Sequence, residues 1–293
     1  MVEVQVIANG IIGGLEVAIL GLAFQLVYLP TKVFHVALGG VYSVAPFLVW
    51  EAMHLGVQTA PAIAIGILGT ALISLLAELW NHGLLAKHQG SFSAQFISSL
   101  GIYIVIVQFI AITWGNASRG LRTSVDPVTH LGSIAFTESD WRVIGGSLSI
   151  LTGFFVWLRF TKVGLVFRGL ADNPKELALR GYNIRRLRCI AFAISGAMAA
   201  GISILTAWGN GFWSYGGLSV LLLAVVSAII GGRYSFVGAV IGGLILELVR
   251  AEVEWYMSAR WIDAATFLLL AFFLLFRPNG IVTRRARLEA EAR

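Results

Sequence analysis

From Val6 to Tyr28 the chain carries one charged side chain, Glu16. Eight further stretches of similar character follow, at 36–50, 60–80, 93–114, 141–158, 188–207, 216–230, 236–249 and 261–276. A helix needs roughly 17–25 mostly apolar residues to cross a bilayer, so these runs predict an all-α fold. The expected architecture is a polytopic transmembrane helical bundle of about nine spans (8–10), with 1–293 as a single domain. Composition agrees. Charged residues make up 12% of the chain, against roughly 25% in ordinary soluble domains, too few to cover a globular surface of this size.

The tryptophans mark the edges of the stretches independently. Trp50, Trp80, Trp114, Trp157 and Trp208 fall at or near C-terminal ends, Trp141, Trp213 and Trp261 at or just before starts, and Trp255 between two runs. Indole rings prefer the headgroup interface, so this placement supports the boundaries. Charge then gives orientation. Residues 159–188 hold eight basic side chains against Asp172 and Glu176, and the tail 277–293 holds five against Glu289 and Glu291. Residues 115–140 hold Arg119 and Arg122 against Asp126, Glu138 and Asp140. The positive-inside rule places the first two segments in the cytoplasm and the third outside. An even number of crossings must then separate 159–188 from the tail. That parity is met if 216–249 is split at Gly231-Gly232-Arg233-Tyr234-Ser235 with Arg233 facing in, which predicts the N-terminus outside and the C-terminus inside.

Two GxxxG patterns, Gly10/Gly14 and Gly238/Gly242, and a stripe of Ala193, Ala197 and Gly201 permit close helix contact. Packing within one subunit is the plainer explanation, and a subunit interface the alternative. Glu16 sits near the middle of the first stretch, where a carboxylate is costly unless protonated, paired or facing a water-filled path. Glu51, Glu78 and Glu247 lie at stretch ends and read as solvated or interfacial. The five histidines fall at no metal-ligand spacing, Cys189 is alone, and no Walker A, nucleophile elbow or dinucleotide fingerprint occurs. The chain shows no catalytic chemistry of its own.

The basic segment 163–184 reads as ordered. Asn173 suits an N-cap and Pro174 the first helical position. Glu176 and Arg180 complement the dipole of a short helix, and Gly181 can take the left-handed conformation that stops it. Asn183 can cap the next helix, whose Arg185, Arg186 and Arg188 are expected at the membrane surface. A capped helix there suits docking into a groove on another protein, or lying on anionic lipid.

Several short motifs in order carry a resemblance. They are Asn9-Gly10, Ser99-Leu100-Gly101-Ile102, the Gly164…Arg168…Asn173-Pro174…Ala178…Gly181…Asn183 segment, Ile194-Ser195-Gly196-Ala197, Gly231-Gly232 with Gly238 to Gly243, and Phe276-Arg277-Pro278-Asn279-Gly280-Ile281. Together they resemble the permease subunits of branched-chain amino acid ABC importers. The resemblance implies a multi-pass permease of the bacterial cytoplasmic (inner) membrane. Its expected partners are a second permease subunit, like or unlike it, two cytoplasmic ATPases and an external substrate-binding protein. ATP and Mg would be bound by the partner ATPases and no cofactor by this chain. Arg168, Asp172, Asn173, Pro174, Glu176, Ala178, Arg180 and Gly181 would form the ATPase-coupling contact. Glu16, His35, Tyr42, Ser98 and Ser99 are the expected polar groups along the translocation path. One departure bears on substrate: where the family reads Asn-Phe-Ala-His-Gly-Glu, this chain has His35-Val36-Ala37-Leu38-Gly39-Gly40. A permease for urea, short amides or sugars is the alternative within the class. An ion-coupled secondary transporter using Glu16 and a non-transporting scaffold are the alternatives outside it.

Overall fold

The computed structural model describes residues 2–122, 126–132, 134–172, 174–232 and 234–282. Each apolar stretch becomes a helix: α1 (Val2–Thr31), α2 (Ala37–His54), α3 (Thr59–Ala77), α5 (Phe92–Trp114), α6 (Glu138–Phe160), α9 (Ile184–Asn210), α10 (Gly216–Gly231), α11 (Phe236–Tyr256) and α12 (Ile262–Phe276). A π-helical turn, Glu78–His82, continues α3 into the short α4 (Gly83–Lys87), and two short helices, α7 (Lys162–Asp172) and α8 (Pro174–Leu179), link α6 to α9.

Six helical segments are long and apolar enough to cross a membrane, or seven if α10 and α11 are counted as one broken span. The other helices fall short for visible reasons. α2 carries Glu51 and His54 near its end. α10 has 16 residues, about 24 Å at 1.5 Å per residue, against a hydrocarbon core of about 30 Å. α11 holds Glu247, Arg250, Glu252 and Glu254. The expected interruption after Gly231 is present: α10 and α11 are bent by 115°, and Gly238 N–H donates to Ser235 Oγ (3.1 Å) to start α11. Arg233 lies outside the described residues.

One element departs from the all-α expectation. Residues 128–137 form an antiparallel hairpin of β1 (Val128–Leu131) and β2 (Ile134–Thr137), pairing Val128 with Thr137 and Leu131 with Ile134. Its Val, Thr, Ile and Phe residues suit a pleated surface, and Gly132 takes φ 64° after β1. The hairpin runs into α6, where Thr137 and Asp140 form a reciprocal capping box.

α1 runs through the core. Ile19, Leu22 and Leu26 are fully buried among Leu38 and Val41 of α2, Ala199 and Ile202 of α9 and Ala224 of α10. The small-residue patterns serve this packing. Gly10 and Gly14 admit Leu248 and Leu244 of α11, and Gly242 lies against Ser227 and Gly231 of α10. A Cβ on Gly217 would overlap the Gly39 carbonyl, so α2 and α10 touch backbone to backbone. The outer faces are apolar: α5 exposes Ile104, Val105, Phe109 and Ile112, and α12 exposes Phe267, Leu268 and Leu275. Such faces belong against lipid or a neighbouring helix, because contact of apolar surface with water is unfavourable.

Candidate functional site

The first site is the linker between α6 and α9. Thr161 ends α6 and caps α7, with Gly164 N–H donating to Thr161 Oγ1 (2.9 Å). Helix α7 buries Gly164, Phe167 and Leu170, and turns Lys162, Val163 and Leu165 outward. A side chain at position 164 would collide with the Trp157 carbonyl and Leu158 backbone, so glycine lets α7 fold directly onto the end of α6. Leu177 then packs against Gly169 and anchors α8 on α7.

Helix α8 ends as its sequence predicts. Gly181 takes φ 86°, Gly181 N–H donates to the Ala178 carbonyl (3.0 Å) and Tyr182 N–H to the Leu177 carbonyl (3.2 Å). This is a Schellman termination. Asn183 Oδ1 then accepts from Arg186 N–H (3.1 Å), capping α9. On the solvent face Arg180 Nη2 meets Glu176 Oε1 at 2.6 Å. Such an exposed pair is worth little in stability. Beside them Ala178 is exposed and Leu179 is 89% exposed, an apolar knob on a polar tip. The residue signal for Leu179 was present, in that a leucine follows a buried leucine by two positions on a short helix. Of the remaining predicted coupling residues, Arg168 lies on α7, Asp172 ends α7, Pro174 starts α8, and Asn173 lies outside the described residues.

The second site surrounds Glu16. Tyr42 of α2 donates its hydroxyl to the Glu16 carboxylate, and the same hydroxyl lies 3.0 Å from Thr206 Oγ1 of α9. Ser203, one turn before Thr206, donates to the Tyr42 carbonyl (2.7 Å). Two cavities meet at this carboxylate. One of about 160 Å³ is lined by Tyr42, Ser43, Ser203, Thr206 and Asn210 together with Pro46, Phe212, Trp213 and Val220. The other, about 210 Å³, is lined by Asn9, Gly13, Asp140, Thr206 and Asn210. No lysine or arginine is among the described residues lining either one. The arrangement can bind a polar or cationic group by hydrogen-bond acceptors. The sequence reading does not single out Ser203, Thr206 and Asn210, although two hydroxyls three residues apart and an amide four further on, at the end of an apolar run, are a visible signal.

The other predicted path residues lie elsewhere. Ser99 Oγ accepts from Ala37 N–H (3.0 Å) at the start of α2, and Ser98 Oγ donates to Asn81 Oδ1 (2.5 Å). His35 is fully buried against Phe192, with its ring 5.5 Å from that of His82. Close by, Glu78 is 1% exposed and takes a two-pronged contact from Arg188, at 2.5 Å (Nε–Oε1) and 3.1 Å (Nη2–Oε2). The sequence reads Glu78 as solvated or interfacial and Arg188 as held at the membrane surface; in the fold Glu78 is buried rather than solvated. The π-helical turn and the start of α9 instead bring them together, because each charge offsets the desolvation of the other. Glu247 also finds a partner, Arg250, at 3.0 Å. A groove of about 740 Å³ separates α3, α6 and α9, with Ile63, Ile67 and Ile150 on its floor. The charges at its rim pair with one another, Arg122 with Asp126 and Arg142 with Glu138.

Comparison with known proteins places this geometry. Residues 6–276 match the family model described as branched-chain amino acid transport system / permease component. The high-affinity branched-chain amino acid transport system permease protein LivH of Salmonella typhimurium is 27% identical over 96% of this chain and 95% of its own length. The autoinducer 2 import system permease protein LsrC of Shigella flexneri is 25% identical over 90% of this chain and 77% of its own length. A chain of PsaBC from Streptococcus pneumoniae, solved in complex with Fab, shares the fold at a TM-score of 0.54 and 11% identity, covering 92% of this chain and 91% of that one. With the family match running across nearly all the membrane helices, the chain belongs to the permease family of branched-chain amino acid ABC importers.

Proposed function

We propose that this chain is the membrane-spanning subunit of an ATP-driven importer for branched-chain or other hydrophobic amino acids. It works with a second permease subunit, two cytoplasmic ATPases that bind ATP and Mg, and an external substrate-binding protein. The observation that carries the reading is α8: a short, rigidly terminated helix that presents Glu176, Ala178, Leu179 and Arg180 outward between two membrane-length helices. A groove on an ATPase can grip such a tip, and α7 and the capped start of α9 pass its movement to the bundle. Asp172, Asn173 and Pro174 complete the contact segment. On the other face, Glu16, Tyr42 and the polar groups around them serve the translocation path, with His35, Ser98 and Ser99 further along it.

The orientation follows from charge, with 159–188 and the tail in the cytoplasm and the N-terminus outside. Nine crossings meet that parity. A re-entrant α10–α11 pair that turns back on its own side also meets it, whereas a single broken span does not. A reporter fused after Trp213 is expected outside, and a cytoplasmic signal there removes this topology. The location is the bacterial cytoplasmic membrane.

The coupling assignment is tested by replacing Gly181 and Glu176 together, Gly181→Ala with Glu176→Ala, in the assembled transporter. Uptake is expected to fall while ATP hydrolysis and subunit assembly persist; unchanged uptake removes α8 from the coupling. A second reading, proton-coupled transport, is favoured by the Glu16 carboxylate beside two cavities. Uptake by this chain without ATPase subunits, driven by a proton gradient, supports it. A permease for urea, short amides or sugars is the alternative within the importer class, to which the autoinducer 2 import relative LsrC also lends a different substrate, and binding assays on the copurified binding protein decide between them.

A further inference from the structure

A cleft of about 500 Å³ opens where the last turn of α6, the middle of α7 and the first turn of α11 converge. Arg159 of α6 and Arg168 of α7 line it beside Ser235, and Phe155, Leu158 and Phe236 form its apolar wall. No carboxylate is among the described residues lining it. Arg168 is half-buried, and its Nε is buried with no acceptor among the described residues. Two guanidinium groups beside a serine, with no carboxylate among the described lining residues, make the site complementary to an anion with several acceptor oxygens. The surroundings add a direction of approach. Helix α7 shows Lys162, Val163 and Leu165 on its outer side, the pattern of an amphipathic helix at a membrane surface. Phe160, beside Arg159, is 75% exposed. Two guanidiniums above an apolar wall at that level match a phosphate with acyl chains below it.

We propose that this cleft binds the phosphate group of an anionic phospholipid, held by Arg159 and Arg168. Basic pockets between transmembrane helices on the cytoplasmic side bind acidic headgroups by this chemistry. The bound phosphate would join α6, α7 and the start of α11, and so brace the base from which α8 projects. Inorganic phosphate offers the same oxygens and is the other source to distinguish. The leaflet concerned rests on the proposed orientation of 159–188, but binding itself does not.

The test uses the full chain in the assembly in which it purifies, placed in nanodiscs of phosphatidylcholine alone or with phosphatidylglycerol. Both leaflets then carry the same lipid and no transport is measured, so an error in orientation or in the transport reading leaves the result unchanged. Retained lipid is read by native mass spectrometry and protection by thermal unfolding. Phosphatidylglycerol is expected to be retained and to raise the unfolding temperature. Arg159→Gln, at an exposed position, should weaken that retention about fivefold, and Lys162→Gln, an equal loss of charge outside the cleft, should not. Protection by millimolar inorganic phosphate in phosphatidylcholine discs, lost in Arg159→Gln, supports the anion site with a soluble source. Equal retention of phosphatidylglycerol by wild type, Arg159→Gln and Lys162→Gln, with no protection by phosphate, overturns the proposal.

Discussion

Glu16 and Glu78 lie in helices of membrane length, on α1 and on the π-helical continuation of α3, yet their surroundings differ in kind. Glu78 receives two guanidinium contacts from Arg188, and no cavity opens onto it among those described. Glu16 receives hydroxyl hydrogen bonding from Tyr42, has Thr206 close by, and borders two cavities with no basic lining residue. A fully paired buried charge is closed to ligands and belongs to the architecture, since removing one partner strands the other in a low-dielectric site. A carboxylate held by neutral hydroxyls beside open space keeps acceptor capacity for something that arrives from outside the fold. The difference separates a structural clamp from a site.

The comparison breaks most easily at Arg188. Arg188→Ala leaves Glu78 buried beside His82 with no cation in contact, and a loss of about 3–5 kcal/mol is expected. Thermal unfolding of the detergent-solubilised chain checks it. The double replacement Glu78→Leu with Arg188→Met removes both charges and should recover most of that stability, because well-packed apolar pairs often equal a buried ion pair. If the single and double variants are equally damaged, Glu78 and Arg188 are not acting as a pair.

Glu16→Gln sharpens the other half. Glutamine keeps the volume and can still accept from Tyr42, so the unfolding temperature should stay close to wild type. Uptake by the assembled transporter should fall by on the order of tenfold, the loss of a hydrogen bond to a charged group. Tyr42→Phe, which leaves the carboxylate in place without its donor, should reduce uptake less. A Glu16→Gln protein with full uptake and lowered stability would make Glu16 a second clamp.

What could be read from the residues in advance divides along the same line. The helices, the interruption after Gly231, the stop at Gly181 and the cap at Asn183 are local: hydropathy and φ preference act within a few residues of one another. Helix α7 was also within local reach, because Thr161 caps it and Gly164, Phe167 and Leu170 mark its buried face at three-residue spacing. The Glu78–Arg188 clamp joins positions 110 apart in the chain, and the Tyr42–Thr206 contact joins positions 164 apart. Periodicity along a helix says which face is polar but not which helix that face will meet. Glu16 was visible as an anomaly because it breaks an apolar run. Glu78 reads as solvated or interfacial because it stands at the end of one, and Arg188 as a membrane-surface anchor for the same reason, with nothing local to show that the two pair. The hairpin at 128–137 was missed since four-residue strands leave too short an alternation to stand out in a polar loop.

A third carboxylate, Asp126, extends the comparison to the rim of the large groove. It accepts from Ser139 N–H (3.2 Å) and pairs with Arg122. Hydrogen bonding from Ser139 first, and then the Arg122 contact, holds its carboxyl below the ordinary aspartate value of 3.8. A folded-state value depressed below the unfolded one contributes stability that is present above the unfolded value and is lost as pH falls through the folded one. The link between this loop and α6 should therefore hold at neutral pH and loosen only below about pH 4. Asp126→Asn lacks that contribution at every pH, so at neutral pH it should already show the loosening that wild type shows only in acid, and no further loss as pH falls. Amide hydrogen exchange over 134–142, compared at pH 7 and in acid, measures it. Loss of protection in the variant already at neutral pH, as large as that of Arg188→Ala, would place Asp126 with Glu78 among the clamps.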